Sequence, residues 1–306
     1  MLEAPILFLI FNRPDTTERV FNEIRKQKPK YLFVAADGPR TNVVGEAEKC
    51  KKTREVVMNA IDWDCELKIL FRDSNLGCGP AVSQAITWFF EQVEEGIILE
   101  DDTLPDISFF EYCEVLLEKY RNDERIKMIG GNNFQNGKWR GDGSYYFSAY
   151  SHIWGWASWR RTWNEYDYKL SNQNETTVAE TLNFYFTDNK IKQYWTDIYK
   201  KLNAGGFNTW DIQLLFTIWE KKGMAIVPNV NLVSNIGFGI GATHTSNKKD
   251  KLSCIPHTSM ESIIHPIRVS IDKDADIYTF YKFMRPKKSF YIQFFKKLKK
   301  IIIPSK

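Results

Sequence analysis

The feature that most constrains this chain is a series of short apolar runs in the first 130 residues, each followed by helical periodicity. Residues 5–11 are apolar at every position. Such a run has no solvent face, so as a strand it must be buried on both sides, as in a parallel sheet covered by helices. Asp15-x-x-Glu18 then resembles a capping box, and Val20, Phe21 and Ile24 fall on one helical face. Further strands are expected at 31–36, 67–71, 96–99 and 127–129. Helices are expected at 46–60, 80–92 and 107–121, the last with Phe110, Val115 and Leu117 inward. Repeated β-α units predict an α/β fold with a doubly wound, mostly parallel sheet and helices on both faces.

From about Asn132 the rhythm stops and Gly, Asn and Trp become dense. Helical patterning returns at 177–186, 191–202 and 211–222, followed by a strand at 224–227. No Pro/Ser-rich linker and no internal repeat intervenes, so one body is expected over 1–276. Its nucleotide-binding half is about 1–131 and its acceptor-side half about 132–276. The remainder, 277–306, reads as a basic tail. Nine of the 42 Lys and Arg follow Asp276 and none of the 38 Asp and Glu does, which leaves 1–276 with 33 basic against 38 acidic side chains. An acidic body argues against nucleic acid as a partner. The five cysteines (50, 65, 78, 113, 254) contain no C-x-x-C pair, which fits a reducing compartment rather than a disulfide framework or a zinc site. The eight-residue run 4–11 is too short to span a bilayer, and no other stretch is long enough, so a cytoplasmic protein is expected.

Ligands of open α/β sheets bind beyond the carboxyl ends of the strands. Three of the expected strands end in charged residues: at Asn12-Arg13-Pro14, at Asp37, and at Glu100-Asp101-Asp102. An acid at a strand end often does no more than start a turn. Three in a row after a buried strand repel one another unless a cation joins them. Oxygen ligands without His or Cys select hard cations, Mg²⁺ or Mn²⁺, and such a cation beside this kind of sheet usually partners phosphate. The P-loop pattern G-x-x-x-x-G-K-[ST] is absent. Gly237-Phe-Gly239-Ile-Gly241-Ala242 matches a dinucleotide fingerprint in form, yet it follows no first strand and opens no evident helix. Its glycines are read as letting a loop turn tightly or pass close to a ligand.

Several motifs in order carry a resemblance. Phe11-Asn12-Arg13-Pro14, Leu99-Glu100-Asp101-Asp102, the run from Trp154 to Arg160, and Ser234-Asn-Ile-Gly-Phe-Gly239 with Ala242-Thr-His-Thr245 resemble a bacterial group of GT-A-fold, nucleotide-sugar-dependent glycosyltransferases. The likeness runs from about residue 5 to 245. More distantly, the acidic triplet after a buried strand is similar to that of the Golgi N-acetylglucosaminyltransferase that begins complex N-glycan branching. The resemblance implies a GT-A fold, a UDP-sugar donor and Mn²⁺ or Mg²⁺. It implies that Arg13 and Asp37 hold the uracil-ribose end, that Asp102 ligates the metal, and that Glu100 and Asp101 contact the donor sugar or ribose. Arg72 and Asn75 are expected to face the nucleotide, although an Arg-Asp-x-Asn turn could also cap the following helix.

An inverting transfer needs a base for the acceptor hydroxyl. Asp211 is the best candidate: it opens an expected helix, whose N-terminal dipole favours the carboxylate, and it matches the region of the family that carries the base. A plain helix-start Asp is the alternative, and a retaining mechanism would need no such base. His244 matches a His near the family's metal and diphosphate and could ligate the cation. Trp156, Trp159 and Trp163 recur at helical spacing and read as core packing, whereas Trp154, just ahead, could stack on the donor or acceptor sugar.

In the tail, Phe290, Tyr291, Phe294, Phe295, Leu298, Ile301 and Ile302 recur at helical spacing among lysines, the pattern of an interfacial helix on an anionic membrane surface. A helix on the acidic body, or a disordered tail, would read the same way. Docking through 286–306 would suit a lipid-linked saccharide acceptor in cell-surface polysaccharide synthesis, with a peripheral position on the inner face of the membrane. The function expected is therefore metal-dependent sugar transfer from a nucleotide donor to a glycan or lipid-linked acceptor. The competitors are a sugar-nucleotide pyrophosphorylase, which would want a Gly-rich loop where Phe11-Asn12-Arg13-Pro14-Asp15 has no glycine, and a non-catalytic sugar- or nucleotide-binding protein.

Overall fold

A computed structural model describes residues 1–238 and 255–285. The chain alternates β1 (Ile6–Ile10), α1 (Pro14–Gln27), β2 (Tyr31–Ala36), α2 (Glu46–Ala60), β3 (Glu66–Phe71), α3 (Cys78–Phe90) and β4 (Glu95–Glu100). It continues through β5 (Thr103–Pro105), α4 (Ser108–Tyr120), β6 (Ile126–Gly130), β7 (Tyr145–Ser148), β8 (Trp156–Trp159) and the single turn α5 (Arg160–Trp163). Then come α6 (Glu175–Tyr185), α7 (Asn189–Asn203), α8 (Asp211–Glu220), β9 (Met224–Pro228), β10 (Val233–Asn235), α9 (Lys273–Thr279) and a π-helical turn, Phe280–Met284.

Eight strands form one sheet in the order β3-β2-β1-β4-β8-β6-β9-β7. β3, β2, β1 and β4 are mutually parallel, β8 runs against both β4 and β6, β9 is parallel to β6, and β7 is antiparallel to β9. Six strands thus share one direction, and the expected α/β fold with a mostly parallel sheet is what forms. The alternation of side chains explains why helices are needed on both faces. Ile6, Phe8 and Ile10 pack with Val20, Phe21 and Ile24 of α1 and with Phe109 and Phe110 of α4. Leu7 and Leu9 pack on the other face with Ala85, Ile86 and Phe89 of α3 and Leu214 of α8. Each such side chain contributes roughly 1.5–3 kcal/mol when fully buried.

Three local expectations are corrected. α1 opens at Pro14, not after an Asp15 cap: Arg13 is the N-cap residue and makes no side-chain capping bond. Proline suits the first helical position because its missing N–H would have no partner there. The reciprocal cap forms instead at α6, between Asn174 and Thr177. The tryptophan run is not helical throughout, since Trp156–Trp159 is strand β8. In a strand, residues three apart face opposite ways. Trp156 accordingly joins the α3 side of the sheet and Trp159 the α4 side, while Trp163 lies on α5 beside Trp156. Val115, expected inward, is only half-buried; Leu116 takes its place in the core.

Helix α9 runs across residue 276, and Asp276 and Phe280 are buried, so residues 277–285 pack on the body. The amphipathic segment 286–306 and the Ala242-Thr-His-Thr245 motif with His244 lie outside the described residues. Among the described residues no helix is long and apolar enough to cross a membrane.

Candidate active site

The carboxyl ends of β1 to β4 surround a cavity of about 290 Å³. Its position follows from topology, because β1 is followed by a neighbour on one side, β2, and later flanked by β4 on the other, which opens a crevice above their ends. Seven expected residues line it: Arg13, Asp37, Arg72, Asn75, Glu100, Asp101 and Asp102. Ala81, Val82 and Ala85 of α3 give it an apolar wall. Trp154 is not among its lining residues.

The acidic triplet follows β4 directly. Thr103 pins the turn, accepting from the Glu100 N–H at 2.9 Å and donating to the Glu100 carbonyl at 2.9 Å. Asp101 is buried, and its Oδ2 accepts from Phe11 N at 3.1 Å, which ties the end of β1 to the end of β4. Arg13 Nη1 donates to Asp102 Oδ2 at 2.7 Å and stands 4.0 Å from Asp101 Oδ1. Burial, and then the charges of Asp102 and Asp101, push the Glu100 carboxyl well above the ordinary range. Burial, and then Asp102, push Asp101 up to about 7 despite Arg13. Crowding three carboxyls around one guanidinium is what favours the proton there, and a divalent cation among them would favour the ionised forms instead.

Asp37 is committed differently. Its Oδ1 accepts from Gly38 N at 2.9 Å and Leu76 N at 3.0 Å; its Oδ2 accepts from Asn75 Nδ2 at 2.9 Å and Gly77 N at 3.2 Å. Asn75 Nδ2 also donates to Gly38 O at 2.8 Å. Asp37 and Asn75 thus clasp the turn before α3 to the end of β2. Gly38 is required there, because a Cβ would overlap the backbone of Ser74. Arg72 reaches Gln84 at 3.3 Å from the rim.

Three groups at the cavity lie outside the expected set: Arg40, the N-terminus of α3 and Asn208. Arg40 lines it, held by buried Glu46, which also accepts from Asn12 Nδ2 at 2.8 Å. The Arg40 hydrogen bonds lead the causes that hold Glu46 below its usual range. The N-terminus of α3 opens onto the cavity at Gly77 and Cys78 and supplies partial positive charge suited to phosphate. Burial and the surrounding acids push the Cys78 thiol up to about 12, which favours its neutral form.

The second half of the chain reaches the site at two points. Asn208 Oδ1 accepts from Gly79 N at 3.0 Å and lines the cavity, and Asp211 follows as the first residue of α8. Thr209 donates its hydroxyl to the Asp211 carboxylate. Asp211 does not line the cavity, but its charge is felt at both Glu100 and Cys78. The other point is β10, which pairs antiparallel with β5 immediately after the triplet, Asn235 opposite Thr103. Ile236 N donates to Asp102 O at 2.8 Å, and a Cβ on Gly237 would overlap Asp102 Oδ2 and come within 2.7 Å of Arg13 Nη1. At Gly237 the chain thus passes close to the Asp102 and Arg13 side chains.

A cation fits the donor chemistry only in part supplied by protein. Among the described residues no group of three or more His, Cys, Asp and Glu side chains is arranged to enclose a metal ion. Mg²⁺-type cations are commonly held by one or two carboxylates, with substrate phosphates and water completing the shell.

No family model matches the chain, and no curated protein is similar to it in sequence. Among solved structures it is similar to the mannosyltransferase PcManGT from Pyrobaculum calidifontis, in complex with GDP-Man and Mn²⁺, at 10% identity and TM-score 0.38, over 72% of this chain and 69% of that one. HddC from Yersinia pseudotuberculosis is similar at 8% and 0.31, over 52% and 77%. S. aureus TarS 1–349 is similar at 10% and 0.30, over 51% of this chain and 47% of that one. Likenesses this distant carry no residue roles, and the functional assignment rests on the cavity and the side chains around it.

Proposed function

We propose that this chain is a metal-dependent glycosyltransferase that takes a sugar from a nucleotide donor, a UDP-sugar, to a saccharide or lipid-linked saccharide acceptor. One observation carries the reading: the strand ends of β1 to β4 close on a single cavity that joins an apolar wall, a helix N-terminus and three adjacent acids, one of them paired with Arg13. An apolar wall suits a base and ribose, and the α3 terminus suits a diphosphate. The connection from β1 to α1 is only Phe11-Asn12-Arg13, which leaves no Gly-rich phosphate cradle of the kind a pyrophosphorylase would want.

In this reading Asp102 holds the cation, Mn²⁺ or Mg²⁺, which when bound offsets charge developing on the leaving diphosphate. Arg13 steadies Asp102 and Asp101. Asp37 and Asn75 shape the nucleotide end by fixing the Leu76–Gly77 turn, Arg72 and Arg40 supply its positive rim, and Glu100 and Asp101 face the sugar and ribose. His244 is a second candidate for the cation or a phosphate oxygen. Asp211 takes the proton from the acceptor hydroxyl as its oxygen bonds the anomeric carbon and the bond to the diphosphate breaks, with inversion.

Calorimetry with UDP, with and without Mn²⁺, tests the proposal. Binding that needs the metal is expected; UDP binding that is absent, or indifferent to Mn²⁺, would refute it.

A further inference from the structure

Trp154 stands apart from its neighbours in the tryptophan run. Trp156, Trp159 and Trp163 are 1%, 2% and 6% exposed, whereas Trp154 is half-buried. Its ring meets Phe134 at 5.2 Å and 85°, and Phe238 at 5.9 Å and 78°. Phe283, from the π-helical turn, lies 5.2 Å from Phe134 at 32°. These three phenylalanines are also half-buried. Phe134 and Phe238 meet Trp154 edge to face and Phe283 lies tilted on Phe134, so the group makes a stepped aromatic wall in which each half-buried residue keeps part of its surface exposed.

The wall is anchored and placed. Trp154 N donates to Oδ1 of buried Asn132 at 3.2 Å, and Gly131 N donates to Gly155 O at 2.7 Å. Asn132 Nδ2 has no hydrogen-bond partner among the described residues. Phe238 follows Gly237, which lies against Asp102 and Arg13, yet none of the four rings lines the donor cavity. The wall therefore adjoins the Arg13–Asp102 pair from outside the cavity.

We propose that Phe134, Trp154, Phe238 and Phe283 form the acceptor subsite, and that they bind a saccharide ring stacked through its C–H face. The proposal rests on the glycosyltransferase reading and deepens it. A pyranose presents an apolar C–H face, matched to the negative face of an aromatic ring, and a hydroxyl rim that stays hydrated. Phe283 makes the C-terminal turn part of this subsite.

The test titrates methyl glycosides of glucose, galactose, mannose and N-acetylglucosamine into the full chain holding UDP and Mn²⁺, and reads tryptophan emission. At least one glycoside is expected to change the emission, and Trp154→Phe is expected to lose that change. Phe134→Ala should weaken the apparent affinity about tenfold and Phe283→Ala about threefold, the scale of one aromatic contact. Phosphatidylcholine vesicles are a parallel arm. If no glycoside alters emission while UDP and Mn²⁺ bind, or if vesicles alone shift Trp154, the subsite is wrong and the donor reading stands. If UDP and Mn²⁺ do not bind, the underlying reading fails first.

Discussion

Asp101 and Asp276 are both buried carboxyls pushed up to about 7, in each case chiefly by lost hydration. Their surroundings differ. Asp276 accepts from Ser148 Oγ at 2.5 Å and Ala149 N at 3.0 Å, and it borders a void of about 20 Å³, room for about one water. Asp101 is flanked by Glu100 and Asp102, shares Arg13 with Asp102, and opens on about 290 Å³. A perturbed acid by itself does not mark a site. Crowded like charge beside space for a counter-ion and substrate does, whereas one acid with its hydrogen bonds filled pins two segments together.

The comparison breaks if the triplet behaves like Asp276. The largest effect is expected for Asp102→Ala, which should cost several kcal/mol and remove Mn²⁺-dependent UDP binding in calorimetry, while Asp276→Asn leaves that binding intact. Next, Asp211→Asn should lower sugar transfer on the order of 10²–10⁴-fold with UDP affinity held within about twofold. Normal transfer by that variant would remove Asp211 as the base. Gly237→Ala brings a methyl group against Asp102 Oδ2 and Arg13 Nη1, which must shift to admit it, and should weaken UDP–Mn²⁺ binding about tenfold.

The smallest effect sharpens the other side. Asp276 ionises near 4 when unfolded and near 7 when folded, so between these values the native state holds the extra proton. Its contribution to stability is complete below pH 4 and is lost as the pH rises through about 7. Urea unfolding of the wild type at pH 4.5, 6 and 7.5 should show this loss, at most about 1.4 kcal/mol per pH unit. Asp276→Asn should reduce the slope and leave the share contributed by Asp101 and Glu100, and an unchanged slope would show that Asp276 does not set it.

Much of the first half was legible because strands such as β1 are continuously apolar and helices such as α1 have a single apolar face, at Val20, Phe21 and Ile24. The second half was harder to read for a physical reason. Trp156–Trp159 is buried on both faces of the sheet, so no alternation distinguishes it from a helix, and its partners β4 and β6 lie on either side of it in space and before it in sequence. Three-residue strands such as β5 and β10 are too short to carry any period. Arg40 and the Gly77–Cys78 terminus went unnoticed because their positions depend on Glu46 and on the Asp37 clasp.

The sequence alone determined the α/β class and which strand ends carry charge, since both depend on local periodicity and on residues adjacent along the chain. Only the tertiary structure decided that Asp37 holds a turn, that Gly237 just after β10 closes on Asp102, and that Trp154 belongs to an aromatic wall outside the cavity at the strand ends. Each of these is a contact between residues far apart in the chain, and packing between distant segments leaves no periodic trace in either one.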